Sequence, residues 1–582
     1  MPPGWFVDLP ERRVDVLIYD EGVGGRSFSV SGTGAKLLHT SSFPNDNYVK
    51  LTLLVDADAE PTTLQLRAGG GKSYPFPLEE AKQPRSMSAA DLIYLAMPDR
   101  FANGDESNDR VNGTRDYLVN RDKVFFRHGG DLAGIQERLD YLEDLGVTAL
   151  WINPVLENDQ PYASYHGYAV TDHYRIDPRF GTNEDYRRLV EAAHARGIKI
   201  IMDVIFNHVG DEHFFIRDLP SEDWIHQWPE YTKTTYRATT LMDPHASEYD
   251  RKLMTDGWFD KHMPDLNQQN EHLARYLIQN SLWWTLWSGQ DAFRIDTYAY
   301  ADPDFTSEWN RRMLEELPNL GIYGETWVHG PAVQAYFTGG RQIHQEFDTH
   351  LPGVTDFQVY YAITEAMNRN PGWTEGVLRL YYSLAQDYLY DDPSKNVIFL
   401  DNHDLARIYT VMGEDMTKMK GALALLLTLR GIPMLYYGTE VGLTGSGGAF
   451  GEGGRVDFPG GFPRDSVDYF NETDRSGTEE ELFDYVRRLA RFRKDSPALT
   501  EGTFTHYVPR DGVYVYFRQQ RGQTVMVAFN ANDTARENFD LADFSDQLEG
   551  FGGAYDLTAD TRVGQLRALD LAPKEVKVYV ME

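Results

Sequence analysis

Polar and ionisable residues follow apolar segments at four places in the chain, and their types could carry acid–base and nucleophilic chemistry. The four segments read Asp203-Val-Ile-Phe-Asn207-His208, Phe293-Arg294-Ile-Asp296, Gly324-Glu325-Thr-Trp327 and Phe399-Leu-Asp-Asn-His403-Asp404. One acid at the end of a strand often does no more than cap the helix that follows. Four such strand ends in one chain predict that their side chains converge on a single site.

The residue types in these segments narrow the chemistry. The chain has no cysteine, which excludes disulfides, thiol catalysis and cysteine-ligated zinc. Cleavage of a glycosidic bond needs one protonated carboxyl for the leaving oxygen and a second carboxylate that faces the anomeric carbon. Carboxylates in one pocket raise the pKa of one of their number, which keeps it protonated near neutral pH. Arg294, two residues before Asp296, points to the same strand face and is expected to keep Asp296 ionised.

These residues need a scaffold that brings strand ends together, and from residue 91 onward apolar runs alternate with amphipathic segments. The runs predicted as buried strands are Leu92–Met97, Val147–Asn153, Ile198–Ile205, Asp291–Ile295, Gly321–Gly324, Val397–Leu400 and Pro433–Tyr437, with a less clear strand near Ile343–Phe347. Repeated strand–helix units favour an α/β fold, the parallel (β/α)8 TIM barrel, in which functional residues lie at the C-terminal ends of the strands. A doubly wound open sheet is the alternative.

The rest of the chain predicts three further regions. Residues 1–85 consist of short apolar runs separated by Gly- and Pro-bearing stretches, which indicates an N-terminal β-sandwich. The barrel is assigned to residues 86–208 and 263–497. The stretch 209–262 is too long for a βα loop and is predicted to form an excursion domain after strand 3. Strand patterns return over residues 498–582 and predict a C-terminal β domain.

The net charge limits the partners that the protein can have. The chain contains 56 basic and 89 acidic residues, which gives a formal charge of −33. Such a field repels phosphate backbones and anionic lipids, so neither nucleic acid nor a membrane surface is expected as a partner. It suits a neutral substrate or a cation, although acidity can also serve solubility alone. The sequence has no run of about 18 apolar residues, so no membrane-spanning segment is predicted.

In order and type, the four segments resemble the motifs of the α-amylase family, glycoside hydrolase family 13, and the resemblance extends across nearly the whole chain. It implies that Asp296 is the nucleophile, Glu325 the general acid/base and Asp404 the transition-state stabiliser of a reaction that retains configuration at α-linked glucose. It also implies a set of sugar-binding residues in the −1 subsite: His208, Arg294, His403 and Tyr168, the last in Tyr165-His166-Gly167-Tyr168. His166 is expected to support the site, and Asp203 to be mainly structural.

The subfamily depends on a fifth motif and on the N-terminal region. Met263-Pro-Asp265-Leu-Asn267 resembles the motif of the neopullulanase and cyclomaltodextrinase group. Lys commonly stands in that group where this chain has Asp265, and Asp there is more typical of oligo-1,6-glucosidases. The β-rich N-terminal region favours a cyclomaltodextrinase, which opens cyclodextrins and cleaves α-1,4 bonds of maltooligosaccharides. Neopullulanase, maltogenic amylase, oligo-1,6-glucosidase and a glucan transferase on the same site stay open as alternatives.

A loop between the first predicted strand and the first predicted helix suggests a structural calcium site. Four side chains with oxygen donors lie close together in it: Asn103, Asp105, Asn108 and Asp109. Gly129, through its carbonyl, and Asp131 could complete the six to eight oxygens that Ca²⁺ takes. An acidic turn without a metal is the alternative, but the loop resembles the calcium loop of the neopullulanase group residue by residue.

The resemblance also sets expectations for partners and location. The expected partners are α-glucan oligosaccharides such as cyclodextrins. A homodimer is an alternative to a monomer, because enzymes of this group often dimerise through the N-terminal region. The first residues, Met-Pro-Pro-Gly-Trp, lack the basic and apolar parts of a signal peptide. Either the protein is cytoplasmic, or it is periplasmic or extracellular after removal of a signal peptide. The calcium loop and the lack of cysteine favour a location outside the cytoplasm. A non-catalytic binding protein would lack one of the three carboxylates, and all three are present.

Overall fold

The computed structural model describes residues 2–340, 347–447 and 452–582. Its first seven strands are β1 (Trp5–Phe6), β2 (Arg13–Tyr19), β3 (Phe28–Ser31), β4 (Ala35–Ser42), β5 (Tyr48–Val55), β6 (Thr62–Ala68) and β7 (Ser73–Glu79). They form one sheet in the order β1-β7-β6-β3 and a second in the order β2-β5-β4. In β6 every second side chain, Leu64, Leu66 and Ala68, is buried. This alternation is expected when one face of a sheet packs on a core.

The central region is a closed parallel barrel of eight strands. The strands of this region are β8 (Ile93–Ala96), β9 (Ala149–Ile152), β10 (Leu156–Glu157), β11 (Asp172–Ile176), β12 (Lys199–Ile205), β13 (Ala292–Asp296), β14 (Gly321–Gly324), β15 (Gly353–Val354), β16 (Val397–Phe399) and β17 (Ile432–Tyr436). β10 and β11 pair separately, and the barrel order is β15-β14-β13-β12-β9-β8-β17-β16. A parallel bridge between Thr355 and Val397 closes it. The predicted barrel is confirmed, and the open-sheet alternative is wrong.

Helices follow the barrel strands and begin at recognisable caps. They are α1 (Pro98–Phe101), α2 (Leu132–Glu137), α3 (Leu139–Leu145), α4 (Asn183–Ala195), α5 (Phe214–Arg217), α6 (Glu248–Asp256), α7 (Glu271–Ser288), α8 (Pro303–Glu316), α9 (Pro331–Ala335), α10 (Phe357–Asn368), α11 (Val377–Leu384), α12 (Ile408–Val411), α13 (Met416–Thr428), α14 (Thr478–Lys494), α15 (Pro497–Thr500) and α16 (Ser545–Leu548). Thr182 and Asp185 form a reciprocal capping box at α4. Asp302 caps α8, whose first residue is Pro303.

The sixth barrel strand differs from the prediction. The sequence predicts it near residues 343–347, of which 343–346 lie outside the described residues, whereas the structure has it at Gly353–Val354. A strand of two residues is too short to give a recognisable apolar run. A Cβ on Gly353 would lie 2.1 Å from the carbonyl oxygen of Lys395. Close approach of two backbones, rather than hydrophobicity, is therefore what marks this strand.

Between β12 and α7 the chain leaves the barrel and returns to it. This excursion contains α5 and α6, and over the described residues its bridges are isolated ones. After the barrel come β18 (Thr503–His506), β19 (Val513–Gln520), β20 (Gln523–Asn530), β21 (Arg536–Asp540), β22 (Gly553–Asp556), β23 (Thr561–Gly564), β24 (Ala568–Leu571) and β25 (Val576–Met581). They form a sheet in the order β18-β19-β20-β25-β22-β23 and a separate pair, β21-β24. In the described ranges, no helix combines the length and the apolar character needed to cross a membrane.

The register of the barrel aligns the strand ends that carry ionisable residues. Asp203 of β12 pairs with Arg294 of β13, and Ile205 pairs with Asp296. Glu325 directly follows β14, and its N–H donates to the carbonyl of Ile295 at 2.8 Å. Because these strands run in the same direction, their polar side chains reach the same end of the barrel.

Candidate active site

Arg294 is the centre of a buried charge cluster at the barrel mouth. Its Nη1 lies 2.7 Å from Asp296 Oδ1 and 2.8 Å from Asp203 Oδ1, and its Nη2 lies 2.9 Å from Glu325 Oε2. The four side chains expose between 0% and 11% of their surface. One guanidinium group therefore serves three carboxylates, and the alternation along β13 brings Arg294 to Asp296 as the sequence predicts.

The charges of this cluster do not cancel, because one arginine faces three carboxylates. Burial raises the pKa of Asp203 to about 6. Three groups favour the ionised form and limit this rise: Arg294, Trp151 Nε1, which donates to Asp203 at 3.1 Å, and the hydroxyl of Tyr168, which donates at 3.0 Å. Burial likewise raises the pKa of Asp296, and Arg294 opposes that shift. The cluster therefore retains a proton to a higher pH than free carboxylates would. Arg294 does not by itself offset the burial of Asp296, so the prediction that it keeps Asp296 ionised is not borne out by the direction of this pKa shift.

Glu325 is held by two donors that reach the same oxygen. Arg294 Nη2 lies 2.9 Å from Oε2, and the N–H of Thr297 donates to Oε2, also at 2.9 Å. Thr297 has a φ of 44°, in the left-handed region that β-branched residues rarely adopt. This turn of the backbone, directly after Asp296, aims the N–H at Glu325. Both of these contacts therefore fall on Oε2 of Glu325.

Tyr168 and His403 lie together beside the cluster. Their rings stack with centroids 5.3 Å apart and planes inclined by 12°, and the tyrosine OH lies 2.7 Å from His403 Nε2. The hydroxyl has one hydrogen, which it donates to Asp203, so His403 Nε2 must donate to the hydroxyl, as Asn153 Nδ2 does at 2.7 Å. Burial lowers the pKa of His403. The ring is therefore neutral, with its proton on Nε2.

The Tyr165-His166-Gly167-Tyr168 motif forms the turn that presents Tyr168. Gly167 has a φ of 84°, and a Cβ there would lie 2.1 Å from the carbonyl oxygen of Pro154, so only glycine fits. His166 Nδ1 accepts from the N–H of Tyr168 at 2.6 Å, and the two rings stack with centroids 5.9 Å apart. Burial lowers the pKa of His166, so a neutral imidazole supports the tyrosine.

Asp404 has a cation of its own. Arg455 Nη2 lies 2.9 Å from Asp404 Oδ1, and His403 Nε2 lies 3.3 Å from Oδ2. The same guanidinium group donates to the carbonyl of His403 at 2.8 Å and to the hydroxyl of Tyr165 at 3.0 Å. Arg455 thus fixes the carboxylate and its loop together. Sequence reasoning missed this residue because it lies in a loop after β17, where neither periodicity nor spacing marks it.

Tyr168 connects the two parts of the site. Burial raises the pKa of its hydroxyl, and the carboxylates of Asp203, Asp296 and Asp404 raise it further while Arg294 lowers it. All of these groups therefore act on one phenol ring. The structure brings two of the three predicted catalytic carboxylates, Asp296 and Asp404, near the ring that the sequence predicts to bind sugar, and Arg294 joins the third, Glu325, to Asp296.

His208 lies where the excursion returns to the barrel. Its ring stacks on Phe259 with centroids 4.9 Å apart and planes inclined by 16°. Asn207 Nδ2 lies 3.2 Å from His208 Nδ1, while Nε2 is buried and has no partner among the described residues. Burial lowers the pKa of His208 to about 3. The ring is therefore neutral; the backbone of Tyr168 acts on it as an acceptor, and its Nε2 makes no close hydrogen bond with the described residues.

Five of the six predicted calcium ligands lie together beside the start of α2: Asn103, Asn108, Asp109, Gly129 and Asp131. Asn103 Nδ2 donates to Asp109 Oδ1 at 2.8 Å, and Asn108 Nδ2 donates to Asp131 Oδ2 at 3.1 Å. A Cβ on Gly129 would lie 2.6 Å from Asp109 Oδ1, so glycine lets the loop close. The sixth residue, Asp105, adjoins them through its backbone, whose N–H donates to Asp131 Oδ2 at 2.9 Å, while its Oδ1 accepts from the N–H and hydroxyl of Ser107.

The oxygens of this loop fit a cation. Asn103 Oδ1 and Asn108 Oδ1 are buried and have no partner in the described part of the chain. Burial, together with Asp131, Glu106 and Asp99, raises the pKa of Asp109 to about 6. In the described ranges, no three His, Asp or Glu side chains converge as a metal-binding group. A cation here would therefore depend on amide and carbonyl oxygens as well as carboxylates, a donor set that suits Ca²⁺.

Comparison with known proteins agrees with this geometry. Residues 95–453 match the family model described as the catalytic domain of alpha amylase. The chain belongs to the α-amylase family. Residues 1–82 of this family member match a model of the cyclomaltodextrinase N-terminal region, and residues 504–580 match a model of the cyclomaltodextrinase C-terminal domain. The resemblance that the four motifs carry is therefore confirmed.

Proteins from several bacteria match much of this chain. Neopullulanase 2 of Thermoactinomyces vulgaris is 30% identical over 456 residues, which cover 75% of this chain and 69% of that protein. The Beta/alpha-amylase of Paenibacillus polymyxa is 28% identical over 501 residues, 84% of this chain but only 37% of that longer protein. The crystal structure of an Anoxybacillus α-amylase superposes with a TM-score of 0.69 at 27% identity, and the match covers 85% of this chain and 98% of that chain. This α-amylase family member thus carries the family's barrel between two β regions.

Proposed function

We propose that this α-amylase family member is a retaining α-glucan hydrolase, with Asp296 as nucleophile, Glu325 as general acid/base and Asp404 as transition-state stabiliser. One observation carries the proposal: Asp296 and Glu325 contact the two terminal nitrogens of a single guanidinium group, that of Arg294. Both carboxyls are therefore held on one guanidinium group, which favours the close pair of retaining enzymes, about 5–5.5 Å apart, over the wider separation of about 6.5–9.5 Å that inverting enzymes need to admit a water. A close pair supports direct attack by a carboxylate.

Each step follows from the contacts of the two carboxyls. In the first, Asp296 attacks the anomeric carbon through Oδ2 while Arg294 holds Oδ1, and Glu325 Oε1 gives its proton to the leaving oxygen. The glycosidic C–O bond breaks as the ester bond to Asp296 forms. In the second, Glu325 takes a proton from water, whose oxygen attacks the same carbon and releases Asp296. Two inversions leave the configuration unchanged.

The remaining side chains of the mouth orient the sugar. Tyr168 offers a ring face, and neutral His208 offers an N–H donor to a sugar hydroxyl, whereas the N–H of neutral His403 is already donated to the hydroxyl of Tyr168. Asp404 accepts from hydroxyls, and its negative charge stabilises the cationic transition state. Arg455 holds the Asp404 carboxylate in place, so this carboxylate does not have to reorient when the transition state forms.

The substrates that we propose are cyclodextrins and maltooligosaccharides with α-1,4 bonds. The matches of residues 1–82 and 504–580 to the two cyclomaltodextrinase models support this choice, and so does the relative named neopullulanase. Neopullulanase and maltogenic amylase activities differ from it only in the balance of linkages. Asp265 in the fifth motif keeps an oligo-1,6-glucosidase as the second candidate.

Initial rates on β-cyclodextrin, pullulan, starch and isomaltose, measured side by side, test the choice of substrate. We expect β-cyclodextrin to be hydrolysed fastest, with release of a reducing end at every event. A clear preference for isomaltose would replace the proposal by the oligo-1,6-glucosidase. Rearranged chains without a net gain of reducing ends would replace it by a glucan transferase.

We also propose that the loop beside α2 binds a structural Ca²⁺ ion. The two unpartnered amide oxygens of Asn103 and Asn108 support this, and so does the raised pKa of Asp109. With the carbonyl of Gly129 and the carboxylate of Asp131 they supply five ligand groups, to which water can add. The ion would stabilise the loop and take no part in bond cleavage.

A further inference from the structure

Arg100, in α1, is a buried arginine that the chemistry above does not use. Its Nη1 donates to the carbonyl of Arg455 at 2.9 Å, and its Nη2 donates to the carbonyls of Val124 and Phe126 at 2.7 and 2.9 Å. Its Nε donates to Asp99 Oδ2 at 2.9 Å, and this carboxylate compensates the buried charge. The planar fork of one guanidinium group therefore joins two loops that are distant in sequence, which the single nitrogen of a lysine could not do.

The segment 455–458 is held by Arg100 at both ends. The side chain of Arg100 donates to the carbonyl of Arg455, and its backbone carbonyl accepts from the N–H of Phe458 at 2.9 Å. Between these two contacts, Asp457 pairs with Arg121 at 2.6 Å. The backbone that carries Arg455 is therefore fixed by contacts that do not involve its partner in the active site.

The ring of Tyr165 contacts both arginines. The guanidinium carbon of Arg100 lies 4.2 Å from the ring centroid, within the range of a cation–π interaction. The guanidinium carbon of Arg455 lies 5.9 Å from the same centroid, and its Nη1 donates to the tyrosine hydroxyl at 3.0 Å. Each cation has a carboxylate of its own, Asp99 for Arg100 and Asp404 for Arg455. Tyr165 can therefore hold both arginines without either of them competing for the other's carboxylate.

We propose that Arg100 and Tyr165 are positioning residues that hold the guanidinium group of Arg455 against Asp404. The inference rests on the proposed function, because the position of Asp404 matters to the rate only if its charge stabilises a cationic transition state. Arg100 acts on the backbone of Arg455, and Tyr165 acts on its side chain. Without either contact, Asp404 would lose a fixed partner and would have to reorient as the transition state forms. Such a loss lowers kcat and kcat/KM equally, because it removes an interaction that is made only in the transition state.

A second buried arginine, Arg493 of α14, offers a matched control. Its guanidinium group also donates to backbone carbonyls, those of Ala89, Leu427, Leu429 and Gly431. Ala89 and Gly431 precede the barrel strands β8 and β17, at the end of the barrel opposite to the mouth. Arg493 therefore supports the fold in a similar way, but far from the carboxylates of the active site. Lysine at either position should lower Tm, and only Arg100→Lys should lower kcat.

A double-mutant cycle of Arg100→Lys and Arg455→Met tests the proposal. Lysine keeps a positive charge beside Asp99 but cannot hold all three carbonyls at once. We expect kcat on β-cyclodextrin, per folded molecule, to fall about fivefold in Arg100→Lys with KM unchanged, part of the strength of one charge-assisted hydrogen bond. In the Arg455→Met background the same change should lower kcat no further, because residues that act through a shared partner are not additive. Arg493→Lys should lower Tm and retain the kcat of its background.

Fold-losses in kcat that multiply in the double variant would overturn the inference, and so would a kcat for Arg100→Lys equal to that of Arg493→Lys. Tyr165→Phe supplies a second test if Arg100→Lys does not fold, because phenylalanine keeps the ring and removes the hydroxyl that accepts from Arg455. Its kcat should also fall, and only when Arg455 is present; an unchanged kcat would contradict the inference. If the wild type cleaves no α-glucan, the proposed function fails; if it does and the fold-losses multiply, only this inference fails.

Discussion

The barrel mouth and the loop beside α2 both gather buried carboxylates, but they neutralise them differently. At the mouth, Arg294 and Arg455 provide the counter-charge from within the chain. In the loop, burial and three other carboxylates raise the pKa of Asp109, and only the amide of Asn103 opposes them. The mouth is therefore complete without an added ion, whereas the loop has acceptors in excess.

This difference in counter-charge indicates the function for which each cluster is suited. A fixed guanidinium group leaves one proton to move among neighbouring carboxyls, which is what acid–base catalysis needs. A set of oxygens without a fixed cation suits an ion that arrives from solution and stays. Variants at the mouth should therefore change rates, and changes in the loop should change stability.

The largest effect should come from Glu325→Gln. The amide can still accept from Arg294 and Thr297, but it has no proton to give to the leaving oxygen. We expect kcat to fall about a thousandfold, within the range that a general acid contributes, with Tm and cyclodextrin binding unchanged. Steady-state kinetics, calorimetric binding and thermal melts check this. Glu315→Gln, at an exposed acid of α8, is the control, and a kcat for Glu325→Gln near that of the control would refute the assignment.

Arg294→Gln should affect both the rate and the stability. It leaves three buried carboxylates without their shared cation, and removal of one partner of a buried pair costs about 3–5 kcal/mol. We expect kcat to fall about a hundredfold and Tm to drop by several degrees. Kinetics and melts on the same preparation measure both. If Tm falls while kcat per folded molecule is retained, Arg294 is structural and the comparison with the loop breaks down.

Arg455→Met should have a smaller effect that is confined to the rate. It frees Asp404 from its 2.9 Å partner without changing the Arg294 cluster. We expect kcat/KM to fall about tenfold, the magnitude of one charge-assisted hydrogen bond. Arg521→Met, at an exposed arginine paired with Glu501, should leave kcat/KM unchanged. Equal values for the two variants would show that Arg455 does not position Asp404.

Removal of calcium should lower stability and leave chemistry intact. With EDTA we expect Tm to fall by a few degrees and to return with excess Ca²⁺, since a ligand at 100 times its Kd stabilises by about 2.7 kcal/mol. Initial rates well below Tm should not change. Asp109→Asn should weaken the response to calcium. A Tm that is indifferent to EDTA and Ca²⁺ would contradict the calcium site.

The pH dependence of that response should be the smallest effect. A carboxyl whose pKa is raised on folding contributes stability that is fully present below its unfolded pKa and is lost as the pH rises through its folded pKa. Without calcium, the contribution of Asp109 should therefore shrink as the pH rises towards about 6. Calcium needs the ionised form, so its stabilisation should shrink below the same pH. Melts in EDTA and in Ca²⁺ over this range measure the difference, and a calcium response that grows on acidification would be the opposite result.

The sequence predicts seven of the eight barrel strands and the ionisable residues that follow several of them. Asp296 and Glu325 could be located because apolar runs precede them and parallel strands bring such ends together. β15 could not, because two residues carry no periodicity and the close contact of Gly353 with Lys395 exists only in the folded chain. The role of Arg455 could not be predicted either, because its partner Asp404 is distant in sequence and arginines are common in loops.

The loop shows a different limit. Its composition predicts a ring of donors, and five of the six residues do lie together. One oxygen of Asp105, Oδ1, is engaged by Ser107, because an acid two residues before a serine can accept from that serine's backbone and hydroxyl. Local hydrogen bonds of this kind compete with a metal for the same carboxylate, and spacing alone does not decide between them.

The central claim is that Asp296 attacks the sugar directly, and the anomer of the first product tests it. The reducing end released from maltotriose or β-cyclodextrin can be followed by ¹H NMR in D₂O before mutarotation. The proposed mechanism predicts that the α-anomer appears first and decays towards equilibrium. Initial release of the β-anomer would contradict it, because it would mean a single displacement by water.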